Sequence, residues 1–316
     1  MLEGSMDWKT LEHSLSEALD CRFTVRTARA VSGGCINETF CLEDGPQRVF
    51  AKVNHASKED LFVAEAASLT AIREAGAITA PRPLCIGSDG AHSWLVMEFL
   101  ALESQSSRGE AQLAERLAEL HRHCGDTYGF QRDNYIGETR QPNDKTTDWC
   151  HFFREQRLGV QLDLARRNSA PGRLIDCGKR LQSEVHAFFT DYRPEPSLLH
   201  GDLWNGNTGY IATGEPVIFD PAAYFGDREA DLAMTELFGG FSERFYQSYR
   251  QSWSLDPGYE TRKVLYNLYH ILNHYNLFGD GYAEQAQGMI DRLLACLLYT
   301  SPSPRDQRGT RMPSSA

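Results

Sequence analysis

The chain lacks the features that mark membrane proteins, exported proteins and nucleic-acid-binding proteins. No apolar run reaches the roughly 18 residues that a transmembrane helix needs. The first residues include no apolar signal region, so we expect a cytoplasmic protein. Basic residues are outnumbered, with 32 Lys and Arg against 43 Asp and Glu, and the net charge of −11 argues against neutralising nucleic-acid phosphates. The same charge is compatible with substrates that carry an amine.

Zinc-binding cysteine patterns and hydrolase motifs are also missing. The 8 cysteines include no Cys-x-x-Cys pair, so the sequence does not indicate a zinc site. In the cytoplasm these cysteines should be reduced thiols. We find no internal repeat and no Ser-His-Asp nucleophile elbow. A length of 316 residues with 41% hydrophobic content suits one large domain or two small ones.

What the chain does contain is a set of residue types suited to phosphoryl transfer. Residues 200–207 read His-Gly-Asp-Leu-Trp-Asn-Gly-Asn. Asp202 is positioned to accept a proton from an attacking hydroxyl, while Asn207 and Asp220 offer oxygen ligands for Mg²⁺. The Asp-x4-Asn spacing matches the catalytic loop of the protein-kinase template. Gly201 replaces the Arg of that template, which favours the small-molecule kinases.

The residues between Asn207 and Asp220 predict how the two ends of this site meet. Residues 208–211 and 217–219 read as short strands, and residues 212–216 read as the turn between them. A hairpin of that length would bring Asp220 back beside Asn207, so that both reach one metal ion. The alternative interpretation is an ordinary surface loop rich in Asn, Gly and Asp.

Two upstream features fit the phosphate end of a nucleotide site. Gly33 and Gly34 lie in a turn where backbone N–H groups can approach phosphate oxygens, although an ordinary hairpin turn is the simpler interpretation of that turn alone. Lys52 stands in an alternating segment that predicts a strand. Glu65 lies on a predicted helix over 58–75 among apolar neighbours, and its burial would need a cationic partner, for which Lys52 is the natural choice.

Further segments predict the remaining architecture. Residues 93–100 read as an apolar strand running into a polar stretch, where a two-lobed kinase places the hinge that pairs with adenine. Apolar residues at helical spacing predict helices over 113–123 and 149–165. His270 and His274 have the spacing of a helical metal pair, but their aromatic-rich surroundings favour packing or pocket lining.

Taken together, these motifs resemble the fructosamine kinase (ketosamine-3-kinase) family. The resemblance extends from about Trp8 to about Leu298, and four segments carry it: 31–37, 133–143, 200–207 and 220–234. It implies an α+β, bilobal, protein-kinase-like fold related to the aminoglycoside phosphotransferases. A small antiparallel-sheet lobe would occupy residues 6–98, and a mostly helical lobe residues 99–298.

The resemblance also implies ATP-dependent phosphorylation of the 3-hydroxyl of ketosamines, with ATP and Mg²⁺ as cofactors. The substrate would be a small-molecule ketosamine or a glycated protein. Asp202 becomes the proton acceptor, and Asn207 and Asp220 become the metal ligands. The other implied site residues are the phosphate-positioning pair Lys52 and Glu65, the adenine hinge Met97, Glu98 and Phe99, the sugar-pocket residues Trp204, Asn134 and Gln141, and the buried acid Asp231.

Two of these roles have plain structural alternatives. Asp231 could simply be a helix N-terminal charge favoured by the dipole, and Trp204 could be a core residue. Two other functions also stay open. The chain could be another small-molecule kinase of the aminoglycoside, choline or homoserine kinase type, or a nucleotide-binding scaffold without catalysis.

Cys35 and the C-terminal residues carry separate expectations. Cys35 lies in the glycine-containing turn, where N–H groups that attract phosphate would also stabilise a thiolate. We therefore expect either a redox switch, with a monomer that becomes a disulfide-linked homodimer, or a small buried side chain. Residues 299–316 abandon the helical pattern, and we expect a non-native disordered tail there.

Overall fold

The structure is a computed structural model that describes residues 7–31, 36–103 and 107–300. Gly33, Gly34 and Cys35 therefore lie outside the described residues, as do residues 301–316 of the expected tail. The first two residues of that expected tail continue helix α10, which spans Ala283–Thr300.

The N-terminal part of the chain forms an antiparallel sheet with the strand order β1-β2-β3-β5-β4. Lys52 lies near the centre of this sheet, because its strand pairs with β2 at Thr39 and with β5 at Leu95. The elements of this part are α1 (Lys9–Leu19), β1 (Thr27–Ala30), β2 (Glu38–Asp44), β3 (Gln47–His55), α2 (Glu59–Ala75), β4 (Pro83–Ser88) and β5 (His92–Glu98).

Helix α2 has clear sequence reasons for its start and its end. Glu59 and Asp60 lie in the first turn, where negative charge is favoured by the helix dipole. Gly76 follows the last turn in the left-handed conformation, with φ of 67°. One face of the helix is apolar and buried, which fixes the rotation of α2 and hence the direction of Glu65. That face consists of Phe62, Ala66, Leu69 and Ile72.

The rest of the chain is mostly helical, with three pairs of short antiparallel strands. The strand pairs are β6 (Asn134–Ile136) with β7 (Thr139–Gln141), β8 (Ser197–Leu199) with β11 (Tyr224–Gly226), and β9 (Thr208–Tyr210) with β10 (Pro216–Ile218). The helices are α3 (Ser107–His121), α4 (Trp149–Phe153), α5 (Val160–Arg167), α6 (Gly172–Ser183), α7 (Arg228–Leu237), α8 (Glu243–Ser252), α9 (Tyr259–Phe278) and α10. The predicted α+β, kinase-like fold is confirmed.

The predicted hairpin before Asp220 is present and lies at the junction of the two parts. Strands β9 and β10 pair antiparallel, with Val217 opposite Gly209. Two isolated β-bridges also join the hairpin to neighbouring chain segments. Val217 pairs with Thr79, which comes before β4, and Tyr210 pairs with Glu103, which comes after β5. The hairpin therefore lies beside the connection between the two parts of the chain.

The helix predicted over 149–165 is interrupted by a six-residue π-helical turn, Arg154–Gly159. Gln182 donates from Nε2 to the carbonyl of Arg154 at 3.0 Å, and a Cβ on Gly159 would lie 2.5 Å from that nitrogen. The side chain of Arg157, which lies within this turn, is 0% exposed. Hydrophobic periodicity alone cannot reveal such a turn.

No helix in the described part of the chain has both the length and the apolarity to cross a membrane.

Candidate active site

Lys52 joins the two parts of the chain through two carboxylates. Its Nζ lies 2.7 Å from Oε1 of Glu65 on α2 and 2.6 Å from Oδ1 of Asp220 after β10. The Lys52 side chain is 6% exposed, so burial alone would lower its pKa. The charges of Asp220 and Glu65 overcome this and raise the pKa of Lys52, so the ammonium stays charged. The predicted pairing of Lys52 with Glu65 is thus present in the structure.

Asp202 and Asn207 form the second half of the site. The Asn207 amide donates from Nδ2 to the backbone carbonyl of Asp202 at 2.9 Å and, less closely, to Oδ2 of Asp202 at 3.4 Å. Burial and the negative charge of Asp220 raise the pKa of Asp202 to about 7. A carboxylate with that pKa can exchange a proton near neutral pH, which is the property a general base needs.

The position of Gly201 has a steric cause. Its φ is 84°, and a Cβ at this position would lie 2.1 Å from the carbonyl oxygen of Ala222. A side chain is therefore excluded both by the backbone conformation and by the approach of the 220–223 segment. The structure thus explains why this loop cannot carry the Arg of the protein-kinase template.

Asp231 lies beneath the catalytic loop and accepts hydrogen bonds from it. The backbone N–H of His200 donates to Oδ2 at 2.7 Å, and that of Gly201 donates to Oδ1 at 2.8 Å. Asp231 is 1% exposed, so burial would raise its pKa, but His121 and the loop lower the pKa below its ordinary value. Asp231 thus lies buried beneath the loop, and it also lies in the first turn of α7, where the helix dipole favours a negative charge.

A chain of buried side chains continues from Asp231, and sequence reasoning missed it. His121 Nε2 lies 3.1 Å from Oδ2 of Asp231, His121 Nδ1 lies 2.7 Å from the hydroxyl of Tyr249, and Arg228 donates to that hydroxyl at 3.2 Å. Burial lowers the pKa of His121, so the ring is neutral. The hydrogen bonds of this chain of side chains then run in one direction. Arg228 donates to Tyr249, Tyr249 donates to His121, and His121 donates to Asp231.

His200 is the second residue that the sequence reasoning left without a role. Its Nε2 donates to the carbonyl of Phe219 at 2.9 Å, and its Nδ1 accepts from the N–H of Asp202 at 3.2 Å. Burial lowers the pKa of His200, which fits a neutral ring with the proton on Nε2. The imidazole thus joins the loop that carries Asp202 to Phe219, the residue before Asp220. Its place as the first residue of the His-Gly-Asp motif was the available signal.

Asp220 has an unusual backbone conformation. Its φ is 58°, in the left-handed region that residues other than glycine seldom adopt. The preceding peptide is held, because the carbonyl of Phe219 accepts from Nε2 of His200 at 2.9 Å. After Asp220, the peptide between Pro221 and Ala222 is held, because the N–H of Ala222 donates to the carbonyl of His200 at 2.9 Å. Non-glycine residues in this region cluster at functional sites.

Asn134 and Gln141 do not lie where a sugar-pocket role requires. They are 2% and 1% exposed, and their amides are engaged within the protein. Asn134 donates to the carbonyl of Ala223 at 2.8 Å and accepts from Gln141 at 2.7 Å, and Gln141 also accepts from the hydroxyl of Tyr269 at 2.7 Å. The expected direct contact with substrate is corrected accordingly: in this structure both residues support the segment after Asp220.

Trp204 lies exposed on the catalytic loop. The Trp204 ring covers Gly206 on the catalytic loop and is 38% exposed, so it is not a core residue.

The residues of the expected adenine hinge lie at the end of β5 and just after it. Met97 is buried at the end of β5, whereas Phe99 stacks against the guanidinium of Arg48 at 4.7 Å from the ring centroid. The N–H of Glu98 donates to the carbonyl of Arg82 at 2.9 Å, so that group is already used within the protein. Pairing of the hinge with adenine stays a prediction.

Two histidines with metal-pair spacing lie on α9 but have separate environments. His270 is 6% exposed and stacks edge-on with Tyr269, while His274 contacts the rings of Phe238, Phe278 and Tyr282. Within the described ranges, no group of three His, Cys, Asp or Glu side chains could hold a metal ion. The preference for packing over metal binding at this pair agrees with these surroundings.

Asn207 and Asp220 suit Mg²⁺, which keeps several of its waters, better than a metal ion that is fully enclosed by protein ligands. The Asn207 amide donates through Nδ2, which leaves Oδ1 on its other edge. Asp220 uses Oδ1 for Lys52, and its side chain is 39% exposed. One amide oxygen and one carboxylate are the kind of ligand set with which Mg²⁺ retains waters and binds nucleotide phosphates.

The fold and this arrangement define a kinase-like phosphotransferase: a lysine–glutamate pair on the sheet side faces a catalytic loop with an Asp, an Asn and a following Asp. Comparison with known proteins agrees. The model of the fructosamine kinase family matches residues 7–296. The chain therefore belongs to the fructosamine kinase family, an assignment that the sequence motifs had indicated.

Individual relatives support the assignment over most of the chain. The protein named probable ketoamine kinase in Synechocystis sp. is 48% identical over 288 residues, which are 91% of this chain and 97% of that protein. A chloroplastic protein-ribulosamine 3-kinase of Oryza sativa subsp. japonica is 41% identical over 85% of this chain and 79% of its own.

Solved structures agree at the level of the fold. The crystal structure of a candidate fructosamine-3-kinase from Haemophilus somnus 129PT has a TM-score of 0.83 and 32% identity, and covers 91% of this chain and 97% of its own. The aminoglycoside phosphotransferase APH(4)-Ia has a TM-score of 0.60 at 16% identity, over 92% of this chain and 99% of its own, a likeness of fold alone.

Proposed function

We propose that this protein transfers the γ-phosphoryl group of ATP to the 3-hydroxyl of a ketosamine, the adduct that a reducing sugar forms with an amine. The observation that carries the proposal is the joint placement of Lys52, Glu65 and Asp220 on one side and Asp202 with Asn207 on the other. Family membership supplies the class of acceptor. The reaction would be a repair step that acts on glycated amines.

Asp202 is the group that would orient and deprotonate the acceptor hydroxyl. Asn207 contacts Oδ2 of Asp202, and no protein hydrogen bond reaches Oδ1 among the described residues, so that oxygen can face a substrate. The pKa of about 7 lets Asp202 take the proton near neutral pH. Asp231 accepts from the N–H groups of His200 and Gly201, and His200 accepts from that of Asp202, which keeps the base in place.

Lys52, Asn207 and Asp220 would serve the nucleotide end of the reaction. Lys52 is held by Glu65 and can reach phosphate oxygens while remaining charged. Asn207 and Asp220 would hold Mg²⁺, which when bound supplies charge neutralisation at the transferred phosphoryl group. Most of the rate acceleration would come from these preorganised charges, with the base assisting.

Trp204 is the residue that we place against the sugar. Its ring lies two residues after Asp202 and is partly exposed beside the site. An exposed ring beside a hydroxyl-activating carboxylate suits the apolar face of a sugar.

A panel of acceptors tests the proposal directly. The purified protein would be given MgATP and either ribulosamine, erythrulosamine or fructosamine derivatives, choline, homoserine or an aminoglycoside, with ADP release as the readout and with and without reductant. We expect turnover with the ketosamines and little with the others. Robust turnover of choline, homoserine or an aminoglycoside without any ketosamine turnover would overturn the choice of substrate, and no turnover with any acceptor would favour a non-catalytic scaffold.

Glycated proteins are a second form of the same substrate, and a glycated test protein belongs in that panel. The cytoplasmic location, the monomeric or redox-dependent dimeric state and the role of Cys35 stay predictions. If Cys35→Ala leaves activity as sensitive to oxidant as in the original chain, the redox switch is ruled out.

A further inference from the structure

Ala223, three residues after Asp220, is held through both of its backbone polar groups. Its N–H donates to Oγ of Ser68 at 3.2 Å, and its carbonyl accepts from Nδ2 of Asn134 at 2.8 Å. Ser68 is 0% exposed and Asn134 is 2% exposed, so water does not compete for either bond. We call Ser68, Ala223 and Asn134 the Ala223 clamp.

The first arm of the clamp belongs to the helix that also carries Glu65. Ser68 and Glu65 are three residues apart on α2 and so lie on neighbouring positions of one face. Helix α2 thus reaches the Asp220 segment by two routes. One is charged and runs from Glu65 through Lys52 to Asp220, and the other is neutral and runs from Ser68 to Ala223.

The second arm is oriented by the rest of the 133–143 segment. Oδ1 of Asn134 accepts from Gln141 at 2.7 Å and from Asn143 at 3.0 Å. Because both neighbours donate to the oxygen, the nitrogen of Asn134 must face Ala223. Gln141 is itself held by the hydroxyl of Tyr269 on α9 at 2.7 Å. The clamp is thereby anchored in the helical part of the chain.

The left-handed backbone of Asp220 gives the clamp a function. For a residue other than glycine this conformation is unfavourable and persists only where the surrounding structure enforces it. Hydrogen bonds to the carbonyl of Phe219 and from the N–H of Ala222 hold the chain on either side of Asp220, and the clamp fixes Ala223, the residue after Ala222.

We propose that Ser68 and Asn134 are positioning residues for the metal–nucleotide end of the site. They hold Asp220 in its left-handed conformation, so that its carboxylate stays aligned with Lys52 and Asn207. The proposal rests on the proposed function in so far as Asp220 serves Mg²⁺, and it assigns the 133–143 segment to the nucleotide end of the site and not to the sugar.

Calorimetric titration with ADP, in the presence of Mg²⁺ and again in EDTA, tests the clamp without any acceptor. We expect Ser68→Ala and Asn134→Leu each to weaken ADP binding in Mg²⁺ by about fivefold, because each leaves a backbone group of Ala223 unpaired. In EDTA the change should stay below roughly twofold, since alignment of the metal ligand no longer matters. The two variants act on one residue, Ala223, so their combined effect should be smaller than the product of the single effects.

Thr70→Ala is the matched control. Thr70 lies on the exposed side of the same helix, and its hydroxyl donates to the carbonyl of Ala66 at 2.8 Å, as Ser68 does to Ala64 at 3.0 Å. It should bind ADP as the original chain does under both conditions. If Asn134→Leu does not fold, Ser68→Ala carries the test alone.

Three outcomes would overturn the clamp. Unchanged Mg²⁺-dependent binding in Ser68→Ala is one, and an equal loss with and without Mg²⁺ is another. The third is a raised KM for a ketosamine in Asn134→Leu with normal MgADP binding, which would return Asn134 to the sugar pocket. Failure of the proposed function is seen separately, as absence of ketosamine turnover by the unchanged protein.

Discussion

Gly201 cannot take a side chain without disturbing the catalytic loop. Gly201→Ala should destabilise the protein by more than about 1 kcal/mol from the left-handed backbone alone, and should also displace Ala222 and lower kcat. Gly214→Ala is a matched control, because its φ of 82° is similar to the 84° of Gly201 and a Cβ there meets nothing within 4 Å. The difference between the two variants in urea unfolding isolates the contact with Ala222. Equal losses would show that the contact does not matter.

Replacing Asp202 should lower the activity of the protein without lowering its stability. Asp202→Asn removes the proton acceptor, so kcat should fall roughly 100- to 10,000-fold. The folded-state pKa of Asp202 is raised to about 7, so the ionised carboxylate weakens the fold as the pH rises through that value. At pH 8 the variant should therefore unfold at a temperature no lower than the original chain. Thermal unfolding and steady-state rates measure both effects, and a near-normal rate would remove Asp202 from its role.

Residue types at fixed spacing explain which site residues sequence alone could find. Asp202 and Asn207 belong to one short motif, and Lys52 and Glu65 are chemically complementary on adjacent predicted elements. His121 could not be found this way, because it lies 110 residues before its partner Asp231. Nothing local distinguishes it from another histidine at a helix end. Asn134 and Gln141 were located by resemblance, but only the structure shows that they are buried and which groups they hydrogen-bond.

Helices α3, α7 and α8 meet the catalytic loop through one chain of polar side chains. His121→Leu would remove one buried donor from Asp231 and the acceptor of the Tyr249 hydroxyl proton, so stability should fall by roughly 3 kcal/mol and kcat should fall as the loop loosens. Tyr249→Phe breaks the chain one step further from the loop and should cost about 1 kcal/mol with a smaller effect on kcat. Urea unfolding with parallel rate measurements would test this order. A larger kcat loss in Tyr249→Phe would contradict it.

Elements with a periodic pattern or a well-marked turn were predictable, and short or irregular ones without such a signal were not. The α2 pattern and the β9–β10 hairpin carry clear signals, namely an apolar stripe and a turn between two short strands. Strands of three residues such as β6 and β7 are too short for alternation to show. The π-helical turn at Arg154–Gly159 depends on a contact with Gln182, which lies far along the chain.

The buried histidines should each lower the stability of the protein at mildly acidic pH. Burial lowers the pKa of His270 to about 3, with His274 adding to the shift and Asp231 opposing it. The unfolded chain takes up a proton near pH 6.5 and the folded chain does not, so stability is present above that pH and is lost as the pH falls. Burial lowers the pKa values of His121 and His200 as well, so these residues act in the same direction.

Replacing His270 isolates its share of this loss. Between pH 7 and pH 5 the free energy of unfolding should fall by about 2 kcal/mol less in His270→Asn than in the original chain. His123→Asn, at an exposed position, serves as the control and should leave the slope unchanged. Urea unfolding at several pH values measures the slopes. Parallel curves for the original chain and His270→Asn would show that His270 is not held neutral.

The attachment of the β9–β10 hairpin has a mechanical consequence. The hairpin is bridged to Thr79 before β4 and to Glu103 after β5, so it lies beside the connection between the two parts of the chain. Asn207 comes directly before β9 and Asp220 comes two residues after β10, so one hairpin carries both candidate metal ligands. A shift of the hairpin would move the two ligands together and leave the distance between them unchanged.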